Sequence, residues 1–446
     1  MNVIVAGAGE VGGHAAEVLS AAGHNVTVID LSTERLSALS DKLDLRTLKG
    51  NCTHFDVLSE AGVARCDALV AATQIDELNL LCASLAKAAG ATKTIVRVHH
   101  AGHFKLRHTR YAADLGIDEL ICPEHLTALA IARMLRNPGA IAIEEFGAGQ
   151  VVIERVPVGK GAQAVGKRLP EIGLPGNVRV ATVSRGSGTL IADAQTVIGE
   201  GDLVMLFGES KRFDAARKRF HKGKAKHQHI VIMGEAGVAV WLCRVLKSRI
   251  FSVRLFVDGR ERAEELSTRL DRVTVLDADP TDEETFADEH IKTADAFVAA
   301  MEDDESNILA CAQARTLGAD RSVAVLQRAK YLHLLPHVGI AHAFSPRHVA
   351  VRAMMNLIQD DPIRSLATSA DKIVEVFEVT PTLGAEALGP KLRDIKLPVR
   401  TMIAAIKREN DVRVPGADDT VVHGDTVLVI GPPGIENGLR KLFVSK

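Results

Sequence analysis

Short apolar runs punctuate the first part of the chain: Val3 to Ala6, Val26 to Ile29, Ala68 to Ala72 and Thr94 to Val98. Stretches with helical spacing lie between them. Alternation of this kind predicts βαβ units and a parallel sheet. From Val151 the pattern changes. Val151 to Val158, Val178 to Ser184 and Leu203 to Phe207 read as strands and lead into a basic helix, which makes a small α+β module of about 80 residues.

The pattern is then written again. Gly7 matches Gly234 at an offset of 227, and "DALVAATQIDELN" from Asp67 matches "DAFVAAMEDDESN" from Asp295 at 228. Later pairs share an offset of 223: "LGID" at Leu115 with "VGIA" at Val338, "GKRL" at Gly166 with "GPKL" at Gly389, and "GEGDLVMLFG" at Gly199 with "VHGDTVLVIG" at Val422. A constant offset with short slips is the mark of an internal duplication. The expected fold class is α/β: a tandem duplication of a Rossmann-like parallel-sheet domain followed by a small α+β C-terminal module. The expected domains are 1–140, 141–222, 228–358 and 368–446. The polar connector "KRFHKGKAKHQH" from Lys218 reads as a solvated hinge between the copies or, alternatively, as an interaction patch.

Composition narrows the function classes. At 446 residues the chain exceeds one ordinary core. Lys and Arg total 54 against 56 Asp and Glu, so no general basic field exists to recruit nucleic acid, and no nucleic-acid partner is expected. The cysteines Cys52, Cys66, Cys82, Cys122, Cys243 and Cys311 show no CxxC pair or zinc spacing and read as reduced core residues. No stretch approaches the roughly 18 apolar residues of a membrane span. The start of the chain enters a strand directly, so no export signal is expected.

Candidate chemistry concentrates after the first strand. Gly7, Gly9 and Gly12 follow Val3 to Ala6 and open a helix, and Asp30 ends the next strand 23 residues after Gly7. In this arrangement the glycines allow the tight turn, the approach of a pyrophosphate and helix–strand packing, while the acid accepts ribose hydroxyls. Free N–H groups at the helix start favour a phosphate. Glu10 inside the turn is expected to repel any extra phosphate. Arg97, at the end of "TIVRV", is either an anion contact at the sheet's carboxyl edge or an ordinary strand-end arginine. Asp76 is either a cap of the following helix or part of the ribose rim. His99, His100, His103 and His108 lack a carboxylate or thiolate at ligand spacing in the sequence, so no metal is expected. In the second copy Gly9 and Gly12 face Ala236 and Ala239, Arg97 faces Val325, and Asp30 faces Val257 or Asp258 according to the offset. That copy is expected to keep the fold and to bind a nucleotide poorly or differently.

Together with the double repeat, "GAGEVG", "VTVID", "GNCT", "DALVAAT", "DELN", "IVRV" and "GIDELICPE" resemble the regulatory subunits of Trk potassium-uptake systems, the TrkA family, whose modules are also named RCK or KTN domains. The resemblance spans essentially the whole chain. It implies a nucleotide site at Gly7, Ala8, Gly9, Glu10, Val11 and Gly12 for the phosphates, Asp30 for the ribose, Asn51 and Cys52 near the base, and Thr73 and Arg97 along the edge. The implied cofactor is NAD(H), with ATP or ADP as alternatives at the same site. The implied partners are an integral-membrane potassium-translocating subunit of the TrkH/TrkG type and further copies of the chain in a tetramer. The implied location is cytoplasmic, peripheral on the inner face of the membrane. The family commonly has an acid and a small residue where Asn51 and Cys52 stand, and "LDAD" from Leu276 lacks the glycine of that turn.

An NAD-dependent dehydrogenase is the rival reading. It needs an acid/base or nucleophile beside the nicotinamide. The module from Ile141 to Phe220 contains no His, Cys, Tyr or Trp, and its counterpart from Asp371 contains only His423. A regulator without catalysis is therefore the expected class.

Overall fold

The apolar runs form strands because their branched side chains alternate between two faces that are both covered. Val3 and Val5 lie in one core layer, whereas Ile4 and Ala6 lie in the other. The computed structural model describes residues 1–105, 110–136, 151–186, 188–221, 227–235, 237–247, 251–289, 291–319, 321–328, 331, 334–335, 337–340, 342–358, 361–368, 373–409 and 411–445. The expected boundary at 140/141, part of the Lys218 connector, His108 and Ala236 lie outside the described residues.

The chain begins β1 (Asn2–Ala6), α1 (Glu10–Ala21), β2 (Asn25–Asp30), α2 (Thr33–Ser40), β3 (Arg46–Lys49), α3 (Phe55–Glu60), β4 (Ala68–Ala71) and α4 (Asp76–Ala88). It continues through β5 (Lys93–Arg97), α5 (Ala101–Lys105), α6 (Arg110–Asp114), β6 (Glu119–Ile121) and α7 (Pro123–Arg136). These strands make one parallel sheet in the order β3-β2-β1-β4-β5-β6. The order reverses between β1 and β4, which opens a crevice at their carboxyl ends.

The first small module follows as β7 (Val151–Pro157), β8 (Val178–Arg185), β9 (Gly188–Ile191), β10 (Leu203–Glu209) and α8 (Ser210–Phe220). The second copy is β11 (Gln228–Met233), α9 (Gly237–Val245), β12 (Phe251–Val257), α10 (Arg260–Arg269), β13 (Val273–Asp277), α11 (Glu283–Asp288) and β14 (Ala296–Ala299). Then come α12 (Asp304–Thr316), β15 (Ser322–Val325), β16 (His342–Phe344) and α13 (Pro346–Ile358). Its sheet, β13-β12-β11-β14-β15-β16, repeats the first topology. The chain ends in β17 (Ile363–Thr368), β18 (Glu375–Val379), β19 (Met402–Arg408), β20 (Asp411–Arg413), β21 (Thr426–Gly431) and α14 (Glu436–Phe443).

Like parts associate with like, in two compact units. One unit contains 1–132 with 227–360, the other 133–226 with 361–446. In the first unit α13 docks on α1. Ala350, Val351, Met354 and Ile358 of α13 lie in one core with Val11, Ala15, Ala16 and Leu19 of α1, because both helices present small and branched side chains at three- and four-residue spacing. Trp241 of α9 meets Phe104 and His125 edge-on, with ring centroids 5.8 and 4.7 Å away. In the second unit the two antiparallel sheets share a core that includes Ala181, Met205 and Phe207 with Val376, Ala404 and Leu428. Each module also carries a buried Arg-bound aspartate: Arg185 on Asp202 and Arg408 on Asp425, both at 2.7 Å.

Candidate nucleotide site

β1 ends at Ala6 and α1 begins at Glu10, so three residues reverse the chain. Gly7 takes φ +108°, and a Cβ there would sit 2.9 Å from the Ala72 carbonyl oxygen. Its N–H donates to the Ile29 carbonyl at 2.8 Å. Gly12 is required by proximity, since a Cβ on it would lie 2.0 Å from the Gly7 carbonyl oxygen. Gly9 is different. It has an ordinary φ of −73°, and the nearest atom to a Cβ there is Arg35 Nη1, 4.0 Å away. Protein packing therefore gives no reason for glycine at position 9, whereas a ligand approaching the backbone does.

Asp30 braces this turn from β2. Its Oδ2 accepts the Ala8 N–H at 2.6 Å and its Oδ1 accepts the Ser32 N–H at 2.8 Å. A carboxylate accepts about four hydrogen bonds, so capacity remains for ribose hydroxyls. Ser32 then caps α2 by accepting the Arg35 N–H at 3.2 Å.

A cleft of about 920 Å³ opens over the turn, within the size range of nucleotide and cofactor pockets. Gly7, Gly9, Glu10, Val11, Asp30, Asn51, Cys52, Thr73 and Arg97 line it, whereas Ala8 and Gly12 do not and act by holding the turn. The side chains of Asn51 and Thr73 are partly committed to the protein. Asn51 Oδ1 accepts from Thr53 N–H and Oγ1 at 3.0 and 2.8 Å, and Thr73 donates through N and Oγ1 to Asn79 Oδ1 at 2.8 and 2.7 Å. Cys52 is buried against Cys82; that thiol contact holds Cys52 below the ordinary thiol value and pushes Cys82 above it.

Arg97 supplies positive charge at the sheet edge. Its Nη1 donates to the Thr73 carbonyl at 3.4 Å, while its Nε is buried and, among the described residues, has no partner. Burial lowers its pKa against the opposing pull of Glu124 and Asp76. An incompletely satisfied guanidinium in the same cleft as a glycine that packing does not need fits an anionic nucleotide.

Glu124 lies deeper. Burial works to raise its pKa, but its bond with His99 Nδ1 at 2.8 Å and the charge of Arg97 hold the carboxyl below its usual range. Asp76 does not cap α4. It accepts the N–H groups of His99 and His100 at 3.0 and 2.8 Å and faces His103 Nδ1 at 3.3 Å. These bonds outweigh burial and keep it well ionised. The fold thus brings carboxylates to histidines that lack them in sequence, yet no group of three or more metal-ligating side chains forms among the described residues.

The structure adds Arg35, Gln327 and Arg347 to the lining. Arg347 is the decisive addition, because it arrives from the second copy. Its Nη1 lies 3.0 Å from Glu10 Oε2, so the carboxylate expected to repel phosphate is paired with a cation. Arg35 stands in the first turn of α2, close after Asp30, and was open to detection in the sequence. Arg347, 337 residues from Glu10, gave no local signal.

In the second copy Gly234 keeps the strained turn, at φ +139° with a virtual Cβ 2.4 Å from the Ala300 carbonyl oxygen. Strand register resolves the ambiguity over Asp30. Ala6 pairs with Ile29 and Met233 with Phe256, so buried Val257 occupies the position of Asp30. Val325 occupies that of Arg97, also buried. The corresponding cleft, about 500 Å³, is lined by Glu235, Asp258, Asp277, Asp279, Glu302 and Asp303, with no Lys or Arg among its described lining residues. A phosphate entering it meets like charge from these described residues.

Models of known protein families match this duplicated arrangement. The TrkA-N domain matches residues 3–123 and 230–346, and the TrkA-C domain matches 153–221 and 376–444. The chain belongs to the TrkA family. Its relatives include the Trk system potassium uptake protein TrkA homolog of Archaeoglobus fulgidus, 34% identical over 96% of this chain and 97% of that protein. Another is the Trk system potassium uptake protein TrkA of Vibrio alginolyticus, 29% identical over 96% and 95% of the two chains. Among solved structures, a GsuK channel shares the TrkA-type fold with TM-score 0.61 at 18% identity, covering all of this chain and 79% of that one. A GsuK channel bound to NAD gives TM-score 0.60 with the same identity and coverage.

Proposed function

We propose that this chain is a nucleotide-binding regulatory subunit of a potassium-uptake system, and that its ligand site is the cleft of the first copy. The supporting observation is the asymmetry between two clefts on one fold. The first joins an approachable turn, Asp30 and the incompletely paired Arg97, while the second is acidic. Full-length relatives named for potassium uptake supply the process.

The ligand is NAD(H), or ATP or ADP at the same site; GsuK structures are bound to NAD and to ADP. Gly7, Ala8, Gly9, Glu10, Val11 and Gly12 form and hold the phosphate turn. Asp30 takes the ribose, Asn51 and Cys52 border the base, and Thr73 and Arg97 form the far edge. A bound nucleotide supplies binding energy and phosphate charge rather than a reacting group. It acts by favouring one arrangement of the assembly, which requires differential affinity for the two arrangements. The partners are further copies of the chain, four in a ring, and an integral-membrane potassium-translocating subunit of the TrkH/TrkG type at the inner membrane face. No described helix is long and apolar enough to cross a membrane.

A melting-temperature panel with NAD, NADH, ATP and ADP tests the reading. At least one ligand raises the melting temperature of the full chain, and Asp30→Ala abolishes both that rise and control of potassium uptake. Absence of any shift in the wild type refutes it. Incubation with NAD and candidate hydroxy acids should produce no NADH; turnover would make the dehydrogenase the better reading.

A further inference from the structure

The pairing of Arg347 with Glu10 has no counterpart in the turn motif itself. Arg347 sits in the first turn of α13, and that helix is fixed on α1 by Ala350, Val351, Met354 and Ile358. The anchor places one guanidinium of the second copy over the phosphate turn of the first. Nη1 is held by Glu10, whose side chain is 71% exposed, and Nε is buried without a partner among the described residues.

An ion pair with so exposed a carboxylate contributes little, and a phosphate with more charge and three oxygens competes with it well. The space for such a group is present. A second depression of about 480 Å³ adjoins the cleft, sharing Gly9, Glu10, Arg35 and Arg347 and adding Lys42 and the His14–Glu17 pair, 3.2 Å apart. A phosphate chain that continues past the turn enters this annex, where Arg35, Lys42 and Arg347 stand against Glu10 and Glu17. The pyrophosphate of a dinucleotide cannot, because both its ends carry ribose.

We infer that Arg347 of the second copy is a ligand-reading residue of the first copy's site, which leaves Glu10 to take the terminal phosphate of an adenine nucleoside di- or triphosphate. This inference rests on nucleotide binding in the first cleft. It gives the degenerate copy a part in recognition, and it makes α13 the element that senses whether the ligand ends in a free phosphate.

The test is calorimetric titration of the full-length protein with ATP, ADP and NADH. Arg347→Gln weakens ATP and ADP about tenfold or more, the scale of one charge-assisted contact, and leaves NADH within about threefold. Glu10→Gln frees the guanidinium and tightens ATP. Melting of each variant without ligand checks the fold, and Glu10→Gln keeps the test open if Arg347→Gln is unstable. Equal weakening of all three ligands, no change in Arg347→Gln, or no gain in Glu10→Gln overturns the inference. A wild type that binds none of the three instead overturns nucleotide binding itself.

Discussion

The two Rossmann-like copies share their framework and differ in their clefts, and the division runs residue by residue. Asn79 and Asn307 do the same work. Each accepts a backbone N–H at 2.8 Å, from Thr73 or Met301, and donates at 2.9 to 3.0 Å to that same residue's carbonyl and to a strand-end carbonyl, of Arg97 or Val325. Asp76 and Asp304 each gather two consecutive N–H groups, of His99 and His100 or of Gln327 and Arg328. Asn51 and Asp279 make the same Asx turn to Thr53 and Thr281. Gly9, Asp30 and Arg97 are not matched: their described counterparts Val257 and Val325 are apolar core residues. What survives in both copies is therefore explained by the backbone's need for partners; of what the first copy alone keeps, Asp30 also braces the backbone, while Gly9 and the Arg97 Nε are left unexplained by packing among the described residues.

The largest effect tests the shared framework. Asn79→Ala and Asn307→Ala each strand several buried backbone groups and should cost about 3 kcal/mol of stability, measured by urea unfolding. A loss confined to one copy would break the equivalence. Next comes the cleft. Arg97→Gln should weaken nucleotide binding by about tenfold to a hundredfold, while Val325→Arg should confer no binding on an acidic cleft. Titration calorimetry reads both.

Gly9→Ala sharpens the contrast further, because it separates fold from site. Its backbone is unstrained and its surroundings open, so stability should change by less than about 1 kcal/mol, while nucleotide affinity falls at least about tenfold as the methyl holds the phosphate off. Unchanged affinity would remove position 9 from the site. The smallest effect is in pH. Asp76 has its pKa lowered in the folded state, so its stabilisation is full above the unfolded value of about 3.9 and is lost as pH falls through the lower folded value. Asp76→Asn should remove that acid-side slope, of at most about one proton, in stability measured between pH 5 and 2.

Much of the fold was legible because burial leaves periodic traces. Sheets covered on both faces read as apolar runs, and a duplicated fold needs the same apolar positions twice. The glycine turn and Asp30 were legible for a related reason: they lie within one βαβ unit, so their spacing is local. Asp76 read ambiguously because capping and loop-bracing both place an acid at a helix start; only its contacts with His99, His100 and His103 distinguish them. The histidine group looked bare of acids because Glu124 and Asp76 stand more than twenty residues away from His99 in sequence.

The sequence by itself determined the repeat, the alternation of strands and helices, and the glycine turn with its acid, since each is written in residues close together along the chain. Tertiary structure alone decided which residue replaces Asp30 in the second copy, because strand register, not the drifting offset, fixes equivalence. It also decided that Glu10 has a cationic partner. The packing of α13 on α1 carries Arg347 across 337 residues to that carboxylate, and a contact made by two helices that meet only after folding leaves no pattern in the local order of either.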